Sequence, residues 1–431
     1  MLKKISLSIV TLLLLATLLT SCFPLFGSSS LGNVPITSDG TKTSQLISSI
    51  IKSYSYYDYE LTDEQLSKAI VAGYKEITGD RYAQYYTAEE FEAFNAAAVG
   101  ENQGIGIIVT ENKEYSCIEI NSVVPDSPAD KAGLRDNDLI VQIGIGESAK
   151  KVSEITYDAA LAMLQGKAGT KCEIGIVRDG NFNEVKEFSV LREKYTSPSI
   201  LYEVCEADPT VGIVKILNFD IPVPEQFKEA MTKLIGKGCT KFVYDLRNNP
   251  GGDLAAVSAI LSYFLNKDDV IVITTDINGN EKSNICEAVS HSGRYEPCSV
   301  SESEIGMYRK YPAAVLINGN SASAAELFTG TFKSYGIGTI VGEKSYGKGS
   351  MQSIYDLSKF DSSLKGGIKI TTKLYRPYNM ENYNGIGIDP TEGYSAELTE
   401  EASKLNDYKI IRKENQKLDN QLALAVSALN K

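Results

Sequence analysis

The sequence predicts a multidomain α/β chain with a helical N-terminal arm, a β-rich middle segment and a C-terminal core of alternating strands and helices. Two observations carry this. The chain has 431 residues, 43% of them hydrophobic, enough for more than one core at about 100–200 residues per domain. From about residue 197 to 393, short apolar runs alternate with segments of helical periodicity, the pattern of a parallel sheet covered by helices. A net charge of -12 and the lack of any basic run exclude nucleic acid as a partner.

Residues 1–40 read as targeting and tether. Lys3 and Lys4 precede an apolar stretch over 5–19, shorter than the about 20 residues of a membrane span, which fits a signal h-region. Leu19-Thr20-Ser21-Cys22 resembles a bacterial lipoprotein box. That implies a signal peptide over 1–22, lipid on Cys22, and anchoring to the cell envelope outside the cytoplasm. The alternative is an ordinary signal peptide with a chance cysteine. Residues 23–40, rich in Ser, Gly and Pro, form a flexible tether.

The arm, 41–98, contains a helix opened by the capping pattern Thr62-x-x-Gln65, with Leu66, Ile70, Tyr74 and Ile77 on one face. Asp80-Arg81-Tyr82-Ala83-Gln84-Tyr85-Tyr86 leads to a second helix through Glu89, Phe91 and Phe94. Its tyrosines are expected to pack rather than to react. In the middle segment, 99–192, Gly104-Ile105-Gly106-Ile107 forms a glycine-rich loop whose N–H groups can capture a peptide carboxylate while the peptide adds to a sheet edge. The alternative is that these glycines only shape a hairpin.

The core, 193–395, reads as strand 211–217, helix 225–235, strand 241–246, a turn at Asn249-Pro250-Gly251-Gly252, helix 253–265 and strand 270–274. Residues 276–311 read as a polar surface insertion. The chain's one histidine, His291, falls there and is given no catalytic role. Residues 368–375 and 385–390 are expected to form a hairpin-like strand pair. The tail, 396–431, is helical, and its stripe of Leu418, Leu422, Val426 and Leu429 calls for a cover, either the core or a second subunit of a homodimer. Six cysteines follow Cys22, with no C-x-x-C pair and no Cys/His cluster, so no metal site is expected. Cys286 and Cys298 are placed to close a small disulfide loop in an oxidising compartment, whereas Cys172 and Cys239 suit buried free thiols.

Asn318-Gly319-Asn320-Ser321-Ala322-Ser323-Ala324-Ala325-Glu326 places Ser323 where a strand over 313–317 gives way to a helix over 324–333. A serine there is presented by a sharp turn beside helix N–H groups. Ser323-x-x-Glu326 is equally a plain capping box. With a single histidine in the chain, a serine nucleophile calls for another base. Lys348, between two glycines in Gly347-Lys348-Gly349-Ser350-Met351-Gln352, is available, and Gln352, four residues on, can hold its amine without adding charge. One of Gly251 and Gly252, together with Ala324, can supply oxyanion-hole N–H groups.

These two blocks resemble the C-terminal processing (tail-specific) serine peptidases, and Asp245-Leu246-Arg247-Asn248-Asn249-Pro250-Gly251-Gly252 is similar to another segment of that family. Ser127-Pro128-Ala129-Asp130-Lys131-Ala132-Gly133-Leu134 and the residues following it resemble a PDZ domain. The resemblance implies a crotonase/ClpP-like α/β peptidase core, Ser323 as nucleophile, Lys348 as general base and Gln352 as the residue orienting it, with no cofactor. It also implies protein substrates with accessible apolar C-terminal tails, captured by the PDZ segment. Ala325 and Asn137 depart from the family pattern, which more often has serine and glycine there. The rival functions are a catalytically inert PDZ peptide-binding scaffold and a crotonase-like acyl-CoA enzyme, the latter at odds with a secretion signal.

Overall fold

The computed structural model describes residues 46–47 and 62–431 apart from 100, 113, 147, 148 and 156; Cys22 and the signal segment lie outside them. The arm holds α1 (Asp63–Thr78), with the Thr62/Gln65 capping box made in both directions, then β1 (Gln84–Tyr86) and α2 (Ala88–Ala98). The expected inward face of α1 is not covered by the described residues. Ile77 is 87% and Ile70 63% exposed, and only Val71 is buried.

The middle domain comprises β2 (Glu101–Gly104), β3 (Ile107–Asn112), β4 (Cys117–Val123), α3 (Pro128–Lys131), β5 (Leu139–Ile143), β6 (Lys150–Lys151), α4 (Tyr157–Leu164), β7 (Lys171–Val177), β8 (Lys186–Leu191) and β9 (Glu193–Thr196). Strands run in the order β3-β4-β5-β7-β8, with β6 on β5, and close over Ile118, Ile120, Ile140, Ile174 and Ala160. β3 is an edge strand. The antiparallel β2–β9 pair clasps the chain where it enters and leaves this domain.

In the core, β10 (Ile200–Val204), β11 (Val211–Ile216), α5 (Val223–Gly236), β12 (Lys241–Asp245), α6 (Leu254–Ser262), β13 (Val270–Thr275), β14 (Glu281–Ile285), β15 (Ala313–Ile317), α7 (Ala324–Ser334), β16 (Gly338–Gly342), β17 (Ser350–Asp356) and β18 (Gly367–Arg376) follow in order. One sheet runs β10-β11-β12-β15-β16, parallel except for β10. Alternate residues divide its two faces. Phe242, Tyr244, Val315 and Ile317 pack under α5, α6 and α7, while Val243, Ala314, Leu316 and Val341 meet the tail. Burial on both faces explains the unbroken apolar runs of these strands. A second sheet, β1-β18-β13-β14 with β17 on β18, brings the arm against the core.

The tail forms α8 (Glu400–Ser403), α9 (Asp407–Ile410), α10 (Lys413–Gln416) and α11 (Asn420–Leu429). Leu422, Ala425 and Val426 of α11 are buried on the core sheet, so the core itself covers the stripe. Docking is fixed by buried charge. The Arg247 guanidinium donates to both carboxylate oxygens of Asp245 (3.0 and 2.7 Å) and of Asp419 (3.0 and 2.7 Å), and Lys215 reaches Asp245 at 3.4 Å and Asp407 at 3.0 Å. Lys409 and Arg412 pair with Glu119 and Asp136 of the middle domain.

Three expectations are corrected. Residues 385–390 form no strand; Gly385 (φ 76°) and Gly387 (φ 85°) turn the chain, and the antiparallel partner of β18 there is β17. Cys286 and Cys298 are buried free thiols, one against Ser262 O (3.9 Å) and the other against Ile221 O (3.5 Å). The polar insertion is not merely superficial, because Cys286, Cys298, Val300 and Tyr308 belong to the core cluster.

Burial alone would raise the Asp245 carboxyl, but the charges of Arg247 and Lys215 hold it down at about 2. Its stabilising share is therefore complete above the unfolded carboxyl's pKa of about 3.9 and is lost as pH falls towards 2. Arg247→Ala strands Asp419 and leaves Asp245 only Lys215, and should cost about 3–5 kcal/mol in denaturant unfolding at neutral pH, a deficit that shrinks on acidification as Asp245 protonates.

Candidate active site

The glycine turn follows β12 and Ser323 follows β15, so both lie at carboxyl ends of parallel strands, where α/β sheets open a crevice. Ser323 is fully buried with φ 57° and ψ -117°, a strained conformation for a residue with a Cβ and unlike the extended backbone of an ordinary N-cap serine. Neighbours over-determine it. Ala322 N donates to Asn249 O (2.9 Å), Ser321 Oγ to Leu246 O (2.8 Å), and Ser323 N to Glu326 Oε2 (2.9 Å).

The turn after β12 is held by buried Asn249, whose Oδ1 accepts from Gly251 N (2.8 Å) and whose Nδ2 donates to Ile216 O (2.8 Å). Gly251 (φ 108°) approaches so closely that a Cβ would stand 2.6 Å from Ser323 Cβ; at Gly252 (φ 147°) it would stand 2.4 Å from Phe219 O. Neither position admits a side chain. The Gly251 N–H is spent inside the turn on Asn249. Gly252 N and Ala324 N have no acceptor among the described residues, which makes them the pair available to an oxyanion.

Lys348 is buried in the loop before β17. Its N–H donates to Glu326 Oε2 (2.7 Å), its carbonyl accepts from Tyr375 OH (2.8 Å), and its Nζ lies 4.6 Å from the centre of the Tyr82 ring. The other Glu326 oxygen accepts from Ser345 Oγ (2.6 Å) and Gly347 N (2.6 Å). One buried carboxylate thus receives four donors and joins the backbones of Ser323 and Lys348 through a single oxygen. Burial raises the Glu326 carboxyl's pKa, and these hydrogen bonds oppose the rise.

Gln352 is buried on β17, and its Nε2 donates to Ser350 Oγ (3.2 Å) and Thr371 Oγ1 (3.1 Å). A register shift between Met351 and Gln352 turns the strand there, so the four-residue spacing does not fix a shared side. Thr371 in turn donates from Oγ1 to Asp80 Oδ1 (2.8 Å) and from N to Asp80 Oδ2 (2.9 Å). The arm therefore packs the Tyr82 ring on the Lys348 side chain and brings Asp80 to Thr371. His291 sits in the insertion beside Tyr295, and burial lowers its pKa.

In the middle domain, Gly104 ends β2 and pairs with Glu193, and buried Ile105 accepts from Ala129 N at its carbonyl (2.7 Å). Gly106 (φ 82°) packs on Ser127, where a Cβ would stand 2.2 Å from Ser127 Cβ, and Ile107 opens the edge strand β3. Sequence reasoning missed Glu326 as a clamp because its S-x-x-E spacing already had a local explanation. Asn249 was passed over as a turn residue.

Glu326→Ala leaves four donors without their acceptor at about 1–3 kcal/mol each, so denaturant unfolding should show a loss of about 3 kcal/mol or more. Glu326→Gln, which keeps a carbonyl oxygen, should lose less.

Residues 210–393 match the model of peptidase family S41, and residues 119–178 match that of the PDZ domain. A Staphylococcus epidermidis protein named "Probable CtpA-like serine protease" is 29% identical over 354 residues, covering 82% of this chain and 65% of that protein. A Staphylococcus aureus protein of the same name is 28% identical over 340 residues, covering 79% and 62%. The matched stretch thus spans a little under two thirds of these relatives' length. Among solved structures, a Bacteroides fragilis protein described as a candidate S41 protease aligns with a TM-score of 0.56 at 17% identity, covering 90% of this chain and 97% of that one, a likeness of fold. The two family matches fall on the core and on the domain before it, so the chain carries a PDZ domain ahead of a core that matches peptidase family S41.

Proposed function

We propose that the chain is a serine endopeptidase of the C-terminal processing type, working through a Ser323/Lys348 dyad and held at the cell envelope by lipid on Cys22. The observation that carries this reading is the Glu326 carboxylate, which fixes a strained serine and a buried lysine through one shared oxygen. A serine retained only to cap a helix has no need of that strain.

In this reading Ser323 Oγ attacks the scissile carbonyl carbon while its proton passes to Lys348 Nζ. The carbonyl oxygen takes up negative charge and is met by the N–H groups of Gly252 and Ala324. Collapse of the tetrahedral intermediate breaks the C–N bond, and the proton on Lys348 goes to the departing amine. Water then attacks the acyl ester, Lys348 again taking the proton, and Ser323 is released with it. Substrate enters extended. Its C-terminal carboxylate meets the N–H groups near Gly104-Ile105-Gly106-Ile107 while its backbone pairs with the open edge of β3.

Purified residues 23–431 should cleave an unfolded reporter with an apolar C-terminal tail, and Ser323→Ala and Lys348→Ala should each lower kcat by about 10⁴-fold. A Lys348→Ala enzyme that keeps most of its turnover would end the dyad. Tail-dependent binding without cleavage by the unmutated protein would instead favour the inert scaffold. In a cell fractionation, Cys22→Ala should move the protein out of the membrane fraction; an unchanged distribution would remove the lipid anchor.

A further inference from the structure

A second lysine is buried in the same neighbourhood. Lys369 lies on β18, two residues before Thr371 and therefore on the same face of the strand. It is 5% exposed, and its ammonium stands 5.4 Å from the centre of the Tyr86 ring. Among the described residues no carboxylate lies within ion-pairing distance of it, and no acceptor takes its hydrogen bond. A buried ammonium without a counter-ion opposes folding, so its presence asks for another account.

The groups facing it come from four directions. Lys75 comes from α1, Asp80 from the loop after it, Tyr86 from β1 with Glu90 of α2 behind, and Lys348 from the loop before β17. The nearest carboxylate, Asp80, has both oxygens engaged by Thr371. Burial first, then the charges of Lys348 and Lys75, bring Lys369 down to about 8, with Asp80 pulling the other way.

We propose that Lys369 is a positioning residue for proton transfer, placed on the face of β18 that carries Thr371 and, through it, Gln352 and Asp80, so that its charge keeps Lys348 neutral and able to accept the Ser323 proton. The inference rests on the Ser/Lys reading above. An ordinary lysine is almost wholly protonated at neutral pH, and a like charge held nearby in a site that excludes water is a direct way to raise its neutral fraction. The same repulsion speeds delivery of the proton to the leaving amine. Lys348 remains the group that touches the reacting atoms.

The test is kcat/KM against pH for the full chain and three variants. Lys369→Met should move the acid limb up by about one pH unit, giving about ten-fold lower kcat/KM below the limb and convergence with the unmutated enzyme above it. Lys369→Arg, a cation of similar reach, should leave the limb where it is or lower it. Asp80→Asn, which removes the opposing carboxylate, should move it down. A uniform loss at every pH in Lys369→Met, or an unmoved limb, would show Lys369 to be structural and overturn the proposal. Should Lys369→Met not fold, an unmoved limb in Asp80→Asn overturns it as well. Failure of the underlying dyad looks different, as an unmutated enzyme without activity or a Lys348→Ala enzyme with the same acid limb.

Discussion

Everything in the site hangs on one carboxylate. Glu326 is fully buried, and alone in that position a charged group would be unfavourable by several kcal/mol. Four donors from two chain segments offset that cost, and each is a group that would itself be stranded without an acceptor. The arrangement is therefore mutual. The strained backbone at Ser323 survives because its N–H has nowhere else to go, and the lysine loop closes because Gly347, Lys348 and Ser345 converge on the same carboxylate. Ile388 N in turn donates to Ser345 Oγ at 2.7 Å, which recruits the glycine-rich segment after residue 384 as an outer wall.

A second buried charge network does for the fold what Glu326 does for the site. Arg247 sits two residues before the glycine turn and shares its guanidinium between Asp245 of the same strand and Asp419 of the tail. The tail thereby braces the far side of the strand that presents the turn. Both networks use ions where apolar packing alone would stabilise as well or better, so their value lies in fixing geometry at the ends of two adjacent strands.

The sequence was most legible where local backbone demands a particular residue. Gly251 and Gly252 had to be glycine because both have positive φ and neither has room for a Cβ, and the serine turn and glycine-flanked lysine were visible for related reasons. The strands 241–245 and 313–317 declared themselves by apolar runs that two covered faces require. Legibility failed where a contact joins distant segments. Nothing in S-x-x-E distinguishes a carboxylate that caps its own helix from one that also holds a loop 22 residues on. The bonds of the Gln352 amide nitrogen to Ser350 and Thr371, on a strand with a register shift beside it, were not to be read from the four-residue spacing. Asp80 reaches Thr371 and Tyr82 reaches Lys348 only through the pairing of β1 with β18, which no local pattern announces. The hydrophobic face of α1 shows the reverse case, because amphipathicity tells that a helix has an apolar side but not that the described residues supply its cover.

The strength of the joints differs in a way that bears on function. The tail is fixed to the core by buried ions and by apolar packing of α11, and the arm by strand pairing together with the Asp80–Thr371 bonds. The PDZ domain is held by the short β2–β9 clasp and by the Lys409–Glu119 and Arg412–Asp136 pairs, which are partly open to solvent. Such pairs contribute about 1 kcal/mol or less and weaken with salt, whereas breaking the Arg247 network strands charges that water cannot reach. The domain that carries the sheet edge is thus seated through weaker pairs than the tail, and Lys409 and Arg412 belong to the same tail segment whose Asp407 accepts from Asn248 beside the glycine turn. Lys409 stands two residues from Asp407, so one stretch of chain touches both the PDZ domain and the residue beside the glycine turn.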